Sequence, residues 1–417
     1  MEIKRNQYLQ QLIDGKGNHL IKIITGLRRC GKSYLLFNLF PAYLQQNGVP
    51  SDHIIKIDLE DIRNTEFRSP LALVRYIDKL MTDEKMHYIL LDEIQHVEKF
   101  EEVLNSYLKI KNADIYVTGS NSKFLSSDIV TEFRGRGDEI HMHPLSFAEY
   151  YSAVKGDMAE AWRNYFTFGG LPHLVELNSD QKKIQYLKNL YQSVYKKDLL
   201  ERHKIGKEHE LDELVKIMAS SIGSPCNPNK LSNTFKSLKH TELTPHTISS
   251  YLGYLEDAFL VEKACRYDVK GKKYINSLAK FYFTDSGLRN ALLDFRQQEE
   301  THIMENIIYN ELRIRGFMVD VGVVEVRKRN SLQVMERRQL EVDFVANLGS
   351  KRYYIQSALA LPDKEKIKQE SASFSNIRDS FKKIIVVKEY IHPWHTEDGV
   401  LILNLFDFLL NPNSIDY

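Results

Sequence analysis

Short, unbroken apolar runs separated by amphipathic stretches fill the first 150 residues. Ile21-Lys-Ile-Ile-Thr25 reads as a strand, and Tyr34-Leu-Leu-Phe-Asn-Leu-Phe40 as the apolar side of a helix. Residues 54–58 read as a second short strand and Pro70 to Met81 as a helix. His87-Tyr-Ile-Leu-Leu91, Asp114-Ile-Tyr-Val-Thr118 and Glu139-Ile-His-Met-His143 follow as further strands. Continuous apolar runs, in place of alternation, mark strands buried on both faces. Strands alternating with helices predict an α/β fold with a parallel sheet and helices on both sides. Ligand then belongs at the carboxyl ends of the strands.

Beyond residue 150 the period changes. Phe147 to Val154 begins an amphipathic helix, Phe166-Thr-Phe-Gly169-Gly170-Leu-Pro172 stops and restarts helix, and Gln181 to His203 carries Tyr and Lys at helical spacing. Residues 209–275 have the outline of a winged helix. Two helices, Glu210 to Ala219 and Asn229 to Leu238, precede a third that Thr244 caps and Pro245 opens. A hairpin around Val269-Lys-Gly271-Lys then supplies the wing. Lys280-Phe-Tyr-Phe-Thr-Asp285-Ser-Gly-Leu-Arg289 links to a last stretch of one helix, His302 to Gly316, and strands at Val319 to Val326, Gln339 to Ala346, Lys351 to Gln356 and Lys383 to Val387. The expected division is 1–150, 151–205, 206–300 and 301–417.

Chemistry concentrates at strand ends. Gly26-Leu-Arg-Arg-Cys-Gly31-Lys32-Ser33 lies between a strand and a helix, the context of a P-loop. Gly26 and Gly31 let the backbone turn with positive φ and approach a phosphate, and the loop amides with the helix start form an anion site. Lys32 is expected at the β/γ-phosphates and Ser33 on Mg²⁺. Gly26, Arg29, Cys30, Gly31, Lys32, Ser33 and Tyr34 are the candidate nucleotide contacts. Asp92-Glu93 ends the third strand: Asp92 is a candidate Mg²⁺ ligand and Glu93 the group that polarises water, an acid pair that otherwise reads as a helix cap. Asn121 in Gly119-Ser-Asn121 fits a residue that senses the γ-phosphate, or a plain turn. An arginine of Phe133-Arg134-Gly-Arg136 fits a finger that completes a neighbouring subunit's site, or a surface arginine. Cys30 reads as a small filler, with oxidation blocking the loop as the other reading.

Composition narrows the partners. Lys+Arg number 57 against 56 Asp+Glu, a formal charge of +1, so nucleic-acid binding needs a local patch. Lys236, Lys239, Lys270, Lys272 and Lys273 are such candidates, although the third helix of the trio lacks Arg and Lys; a protein–protein role fits the module equally. No apolar run approaches the roughly 18 residues of a membrane span, and Met1-Glu-Ile-Lys-Arg5 does not lead into a signal-peptide core. Cys30, Cys226 and Cys265 make neither a disulfide framework nor a zinc spacing, and a reducing cytoplasm is expected.

The run Gly-Leu-Arg-Arg-Cys-Gly-Lys-Ser, Leu-Leu-Asp-Glu-Ile-Gln, Tyr-Val-Thr-Gly-Ser-Asn, Phe-Arg-Gly-Arg and His-Pro-Leu-Ser-Phe-Ala-Glu-Tyr resembles the bacterial and archaeal AAA-type ATPases with a C-terminal domain of unknown function. The resemblance implies the ATPase roles above for Lys32, Ser33, Asp92, Glu93, Asn121 and Arg136. It implies ATP in place of GTP, a helical lid over the nucleotide at 151–205, and a restriction-endonuclease-like C-terminal domain. In that last fold the matching positions are Glu305, Asp343 and Gln356-Ser-Ala358. Gln356 is a weaker hard-metal ligand than a carboxylate, and Ala358 has no charge where the lysine belongs, so the domain reads as non-catalytic. Arg327-Lys-Arg329 and Arg337-Arg338 form a candidate basic edge or a solvated hairpin. The expected function is Mg²⁺-dependent ATP hydrolysis that drives or gates the appended domains, with Arg136 in trans requiring a homo-oligomer. The alternative is a nucleotide-dependent switch or scaffold that binds DNA or a protein with little turnover.

Overall fold

Ile21–Gly26 (β1) is buried at all six positions, yet its second residue is a lysine. Lys22 survives there because its ammonium pairs with Asp114 and lies 4.6 Å from the centre of the Tyr116 ring; burial still pulls its pKa below the usual lysine value, against the Asp114 charge. The computed structural model describes residues 2–119, 135–238, 243–329 and 335–417. Ile54–Asp58 (β2), His87–Asp92 (β3), Ala113–Thr118 (β4) and Gly137–Met142 (β5) complete a parallel sheet in the order β2-β3-β4-β1-β5. Alternate residues point to opposite faces. Ile23, Ile57, Ile89, Leu91 and Val117 meet Leu73 and Ile77 of helix Pro70–Leu80 and Leu104 and Tyr107 of helix Phe100–Tyr107. Each such aliphatic side chain contributes about 1.5–3 kcal/mol by leaving water. On the other face Phe40 packs on Tyr116 and Tyr88, with ring centres 4.5 and 6.3 Å apart. The α/β fold with a parallel sheet is as the apolar runs predict.

The chain forms two compact units, residues 1–144 with 171–173 and 257–259, and the remainder. In the second, helices Phe147–Val154, Met158–Phe168 and Asp180–Leu190 are followed by Glu208–Ser220, Pro228–Leu238 and Pro245–Asp257. Thr244 Oγ1 accepts the Thr247 amide at 3.1 Å, and Ile248, Leu252 and Leu255 are buried on the helix it caps. Val261–Asp268 (β6) and Lys273–Phe283 (β7) make the expected hairpin, but it does not stand apart as a wing. Arg266 to Asp268 of β6 pair in parallel with Val321 to Val323 of Met318–Arg329 (β8). The hairpin thereby becomes one edge of an eight-stranded mixed sheet that continues through Met335–Leu348 (β9), Lys351–Ala358 (β10), Lys382–Val387 (β11), Trp394–His395 (β12) and Leu401–Asn404 (β13). The pattern reading located β8 to β11 and missed β12 and β13. Residues 206–300 and 301–417 therefore share a sheet.

Within this unit two glycine motifs lock together. Asp285 accepts the Gly170 amide at 2.8 Å and the Leu288 amide at 2.9 Å. A Cβ on Gly287 would stand 1.8 Å from the Phe168 carbonyl oxygen, so only glycine permits helix Ser286–Leu292 to approach helix Met158–Phe168 this closely. Arg289 is wholly buried and donates to the Ala219 carbonyl at 2.7 Å, while Asn290 donates to the Phe166 and Thr167 carbonyls. The stretch expected to be a link is a packing centre.

Candidate nucleotide site

β1 ends on Gly26, whose φ of +132° puts a would-be Cβ 2.1 Å from the Met142 carbonyl oxygen. Any side chain there would displace the β1–β5 edge. Gly31 has φ 104° and opens helix Lys32–Tyr34, which continues through a π-turn at Leu35–Leu39 into helix Phe40–Gln46. Lys32 is buried, and its ammonium donates to the Gly26 and Leu27 carbonyls at 3.0 and 3.2 Å. It thus spans the loop between its two glycines. Cys30 is fully buried with its thiol 3.3 Å from the Met142 carbonyl, the environment of a packing residue. Arg29, Ser33 and Tyr34 face solvent, and Arg29 holds a positive φ of 66°. Arg28 donates to Glu60 at 3.1 Å. Arg5, which the pattern did not single out, is buried and donates to the Cys30 carbonyl at 3.0 Å and the His143 carbonyl at 2.6 Å. It braces the loop from behind.

The acid pair reaches the same end of the sheet by register. β4 lies between β1 and β3, and Thr118 is its last residue. The Thr118 hydroxyl donates to Asp92 Oδ1 and accepts the Glu93 amide at 2.9 Å. Glu93 itself adopts a left-handed φ of 52°, which turns its side chain away from the strand direction, and Gln95 Nε2 donates to Glu93 Oε2. Thr118 and Gln95 touch the acid pair and are not singled out by the sequence pattern. Their signal was present, since a threonine at a strand tip beside an acid pair has a donor and acceptor to offer.

Burial raises the Asp92 carboxyl above its ordinary value, while hydrogen bonds from the Ser33 and Thr118 hydroxyls oppose the shift. Asp58 stands opposite Asp92 across the β2–β3 register and adds negative charge. A hydroxyl and a carboxylate joined by a hydrogen bond, with further acids beside them, form a hard-oxygen donor set of the kind Mg²⁺ takes. The residues present therefore fit that ion, which Ser33 and Asp92 would hold.

Two candidates remain. Asn121 lies outside the described residues, as does Arg134. Arg136 sits just before β5 and is exposed, with its guanidinium 3.4 Å from Asn105 Oδ1. Its carbonyl accepts the Ile21 amide at 2.8 Å, which puts it at the start of β1. Five strand steps, roughly 17 Å, separate that end from Gly26. Arg136 is not part of its own chain's loop site.

In the second unit, Glu305, Glu341, Asp343 and Gln356 do gather. The lysine missing at Ala358 has a counterpart that the motif pattern did not locate. Lys280 of β7 is buried and lies 3.0 Å from Glu305 Oε1 and 2.8 Å from Glu341 Oε1. Tyr282 donates to Glu305 at 2.7 Å, the Ser357 amide to Asp343 at 2.8 Å, and the Asp343 amide to Gln356 at 3.3 Å. Burial, then the Glu305 charge, pushes the Asp343 carboxyl well above the usual range, with Lys280 acting against them. The sequence clue was a lysine opening the aromatic run Lys280-Phe-Tyr-Phe283.

Residues 18–151 match the family described as AAA domain, and residues 159–299 match a domain of unknown function (DUF8612). An uncharacterized protein of Haemophilus influenzae is 33% identical over 415 residues, covering 98% of both chains. The uncharacterized protein MJ1544 of Methanocaldococcus jannaschii is 28% identical over 373 residues, 86% of this chain and 79% of its own. Among solved structures, the Walker-type ATPase PABY2304 of Pyrococcus abyssi matches with a TM-score of 0.50 at 15% identity, over 70% of this chain and 96% of its own, a likeness of fold. Among the described residues no helix is long and apolar enough to cross a membrane. With its P-loop-type parallel sheet, its AAA domain and a relative matched along essentially its whole length, the chain belongs to the same AAA-type family as the Haemophilus influenzae protein.

Proposed function

We propose that this protein binds ATP with Mg²⁺ and hydrolyses it, and that turnover gates the second unit. The observation that carries the reading is the Thr118 hydroxyl, which ties Asp92 to the Glu93 backbone at the strand end next to the glycine-bounded loop. Mg²⁺ supplies charge neutralisation at the β- and γ-phosphates when bound. The loop amides from Gly26 to Gly31 receive the phosphates. Lys32 exchanges its two carbonyl partners for phosphate oxygens. Ser33 and Asp92 hold the ion. Glu93 accepts a hydrogen bond from the attacking water, and Gln95 keeps that carboxylate aimed. Little covalent work falls to the protein, so positioning and electrostatics supply the rate.

Arg136, exposed at the opposite end of the sheet, reaches a γ-phosphate only on a neighbouring copy, so the active form is an oligomer. Asn121 is proposed to sense the γ-phosphate. A near-zero net charge favours a DNA contact confined to a local basic edge, if DNA is the partner of the second unit. The test is phosphate release from Mg²⁺-ATP over a range of protein concentrations, with and without DNA, beside Lys32→Ala. Specific activity that falls on dilution, and its loss in the variant, support the reading. Equal phosphate release by wild type and Lys32→Ala overturns it.

A further inference from the structure

At the end of the five-stranded sheet remote from the nucleotide loop, two histidines and an aspartate converge. His53 directly precedes β2 and His87 opens β3; since Ile54 pairs with Tyr88, the register sets His53 across from His87. Asp83 lies in the loop between helix Pro70–Leu80 and β3. One ligand atom from each of the three lies within 4.8 Å of the others. His53 Nε2 is 3.4 Å from Asp83 Oδ2, and the two imidazoles stack with centres 4.5 Å apart.

His87 is wholly buried, and its hydrogen bonding fixes its tautomer. Nδ1 lies 2.8 Å from the Lys85 carbonyl oxygen, which can only accept, so Nδ1 carries the proton. Nε2 is then a bare lone pair. It is buried and has no hydrogen-bond partner among the described residues. A buried imidazole nitrogen left without a partner is costly unless something occupies it. A backbone carbonyl on the remote nitrogen is also the arrangement that orients metal-binding histidines. The Lys85 amide donates to Asp83 Oδ1 at 2.8 Å, which orients the carboxylate.

We propose that His53, Asp83 and His87 bind a divalent transition-metal ion of the zinc class. Two imidazoles and a carboxylate are a borderline-soft set that suits Zn²⁺, Co²⁺ or Ni²⁺ in preference to Mg²⁺. Asp83 is 40% exposed, so the ion enters from its side and keeps a solvent ligand there. The ion staples the starts of β2 and β3 to the loop before β3, and the site is independent of nucleotide.

Titrating the full-length, metal-free and nucleotide-free protein with Zn²⁺ by calorimetry, and with Co²⁺ by visible absorption, tests this. One equivalent per chain is expected to bind, with a tetrahedral-type Co²⁺ spectrum. His87→Ala should weaken Zn²⁺ by about 100-fold or more, and Asp83→Asn, a surface change that leaves the core packed, by about tenfold or more. Failure of the wild type to bind either ion overturns the proposal. So does binding that both variants leave undiminished, which would put the ion elsewhere.

Discussion

The backbone amide of Glu93 donates to the Thr118 hydroxyl at 2.9 Å, and that hydroxyl is also the donor to Asp92. One side chain on β4 therefore sets both acids at the end of β3. Thr118→Val keeps the shape and removes the hydroxyl. It removes the acceptor of the Glu93 amide and one of the two hydroxyl donors that hold the Asp92 carboxylate. ATP turnover is expected to drop by about 10–100-fold through misplacement of the ion and the water, while ATP affinity changes little. Thr118→Ser, which restores the hydroxyl, should recover most of the rate. A Val variant with wild-type kcat would show that the hydroxyl does not position the acids.

Lys32 and Glu93 separate binding from chemistry. Lys32→Ala removes the ammonium that spans the loop and is expected to abolish measurable ATP binding by calorimetry. Glu93→Gln keeps the size and the Gln95 contact region but cannot act as a base. It should bind ATP as wild type does and hydrolyse it about 10²–10⁴-fold more slowly. Unchanged turnover in Glu93→Gln would remove Glu93 from the reaction.

What could be read from the chain was whatever is local in it. β1, the glycine-bounded loop and the helix after it are contiguous, so their apolar pattern and spacing suffice. Lys22 was hidden inside an apolar run because the group that makes its burial tolerable, Asp114, is distant in sequence. Thr118 counted as the end of a strand until the sheet order placed it between the loop and the acids. The β6–β7 hairpin formed as expected, but its partner β8 is a non-local pairing that no pattern specifies. Lys280 is invisible to the pattern for the same reason: the motif places its lysine two residues after Gln356, and the fold supplies an ammonium from another strand.

Lys280 answers a charge question in the second unit. Its ammonium pairs with both Glu305 and Glu341, where a divalent ion would otherwise be needed. That single ammonium offsets part of the acids' charge from within; with Gln356 and Ala358 at the motif positions, no Mg²⁺-dependent cleavage of plasmid DNA is expected from the wild type. Lys280→Ala strands buried Glu305 without its cation and should destabilise the fold by about 3–5 kcal/mol, read as a lowered urea midpoint. Adding Glu305→Gln should recover part of that loss. Equal midpoints for wild type and Lys280→Ala would show that the pair does not support the unit, and plasmid nicking that Asp343→Ala abolishes would show that the cluster is catalytic.

Asp285 gives the second unit a dependence on pH whose sign follows from its burial. The carboxyl is pushed up to about 6 from an ordinary 3.8, chiefly by desolvation, against hydrogen bonds from the Leu288, Gly170 and Gly287 amides. Below about pH 4 the group is protonated folded or unfolded and costs nothing. Between about 4 and 6 the unfolded chain ionises while the folded one resists, so stability falls as pH rises, by on the order of 3 kcal/mol once above the folded pKa. Asp285→Asn cannot ionise. It also offers one acceptor oxygen where the aspartate offers two to Gly170 and Leu288, so the variant should be less stable at pH 4, where the cost of the charge is absent. Urea unfolding of both proteins at pH 4, 5, 6 and 7 separates the two effects. The gap between wild type and variant should narrow steadily from pH 4 to pH 6, since only the wild type loses stability to ionisation, and a gap that stays constant would mean that Asp285 carries no such shift.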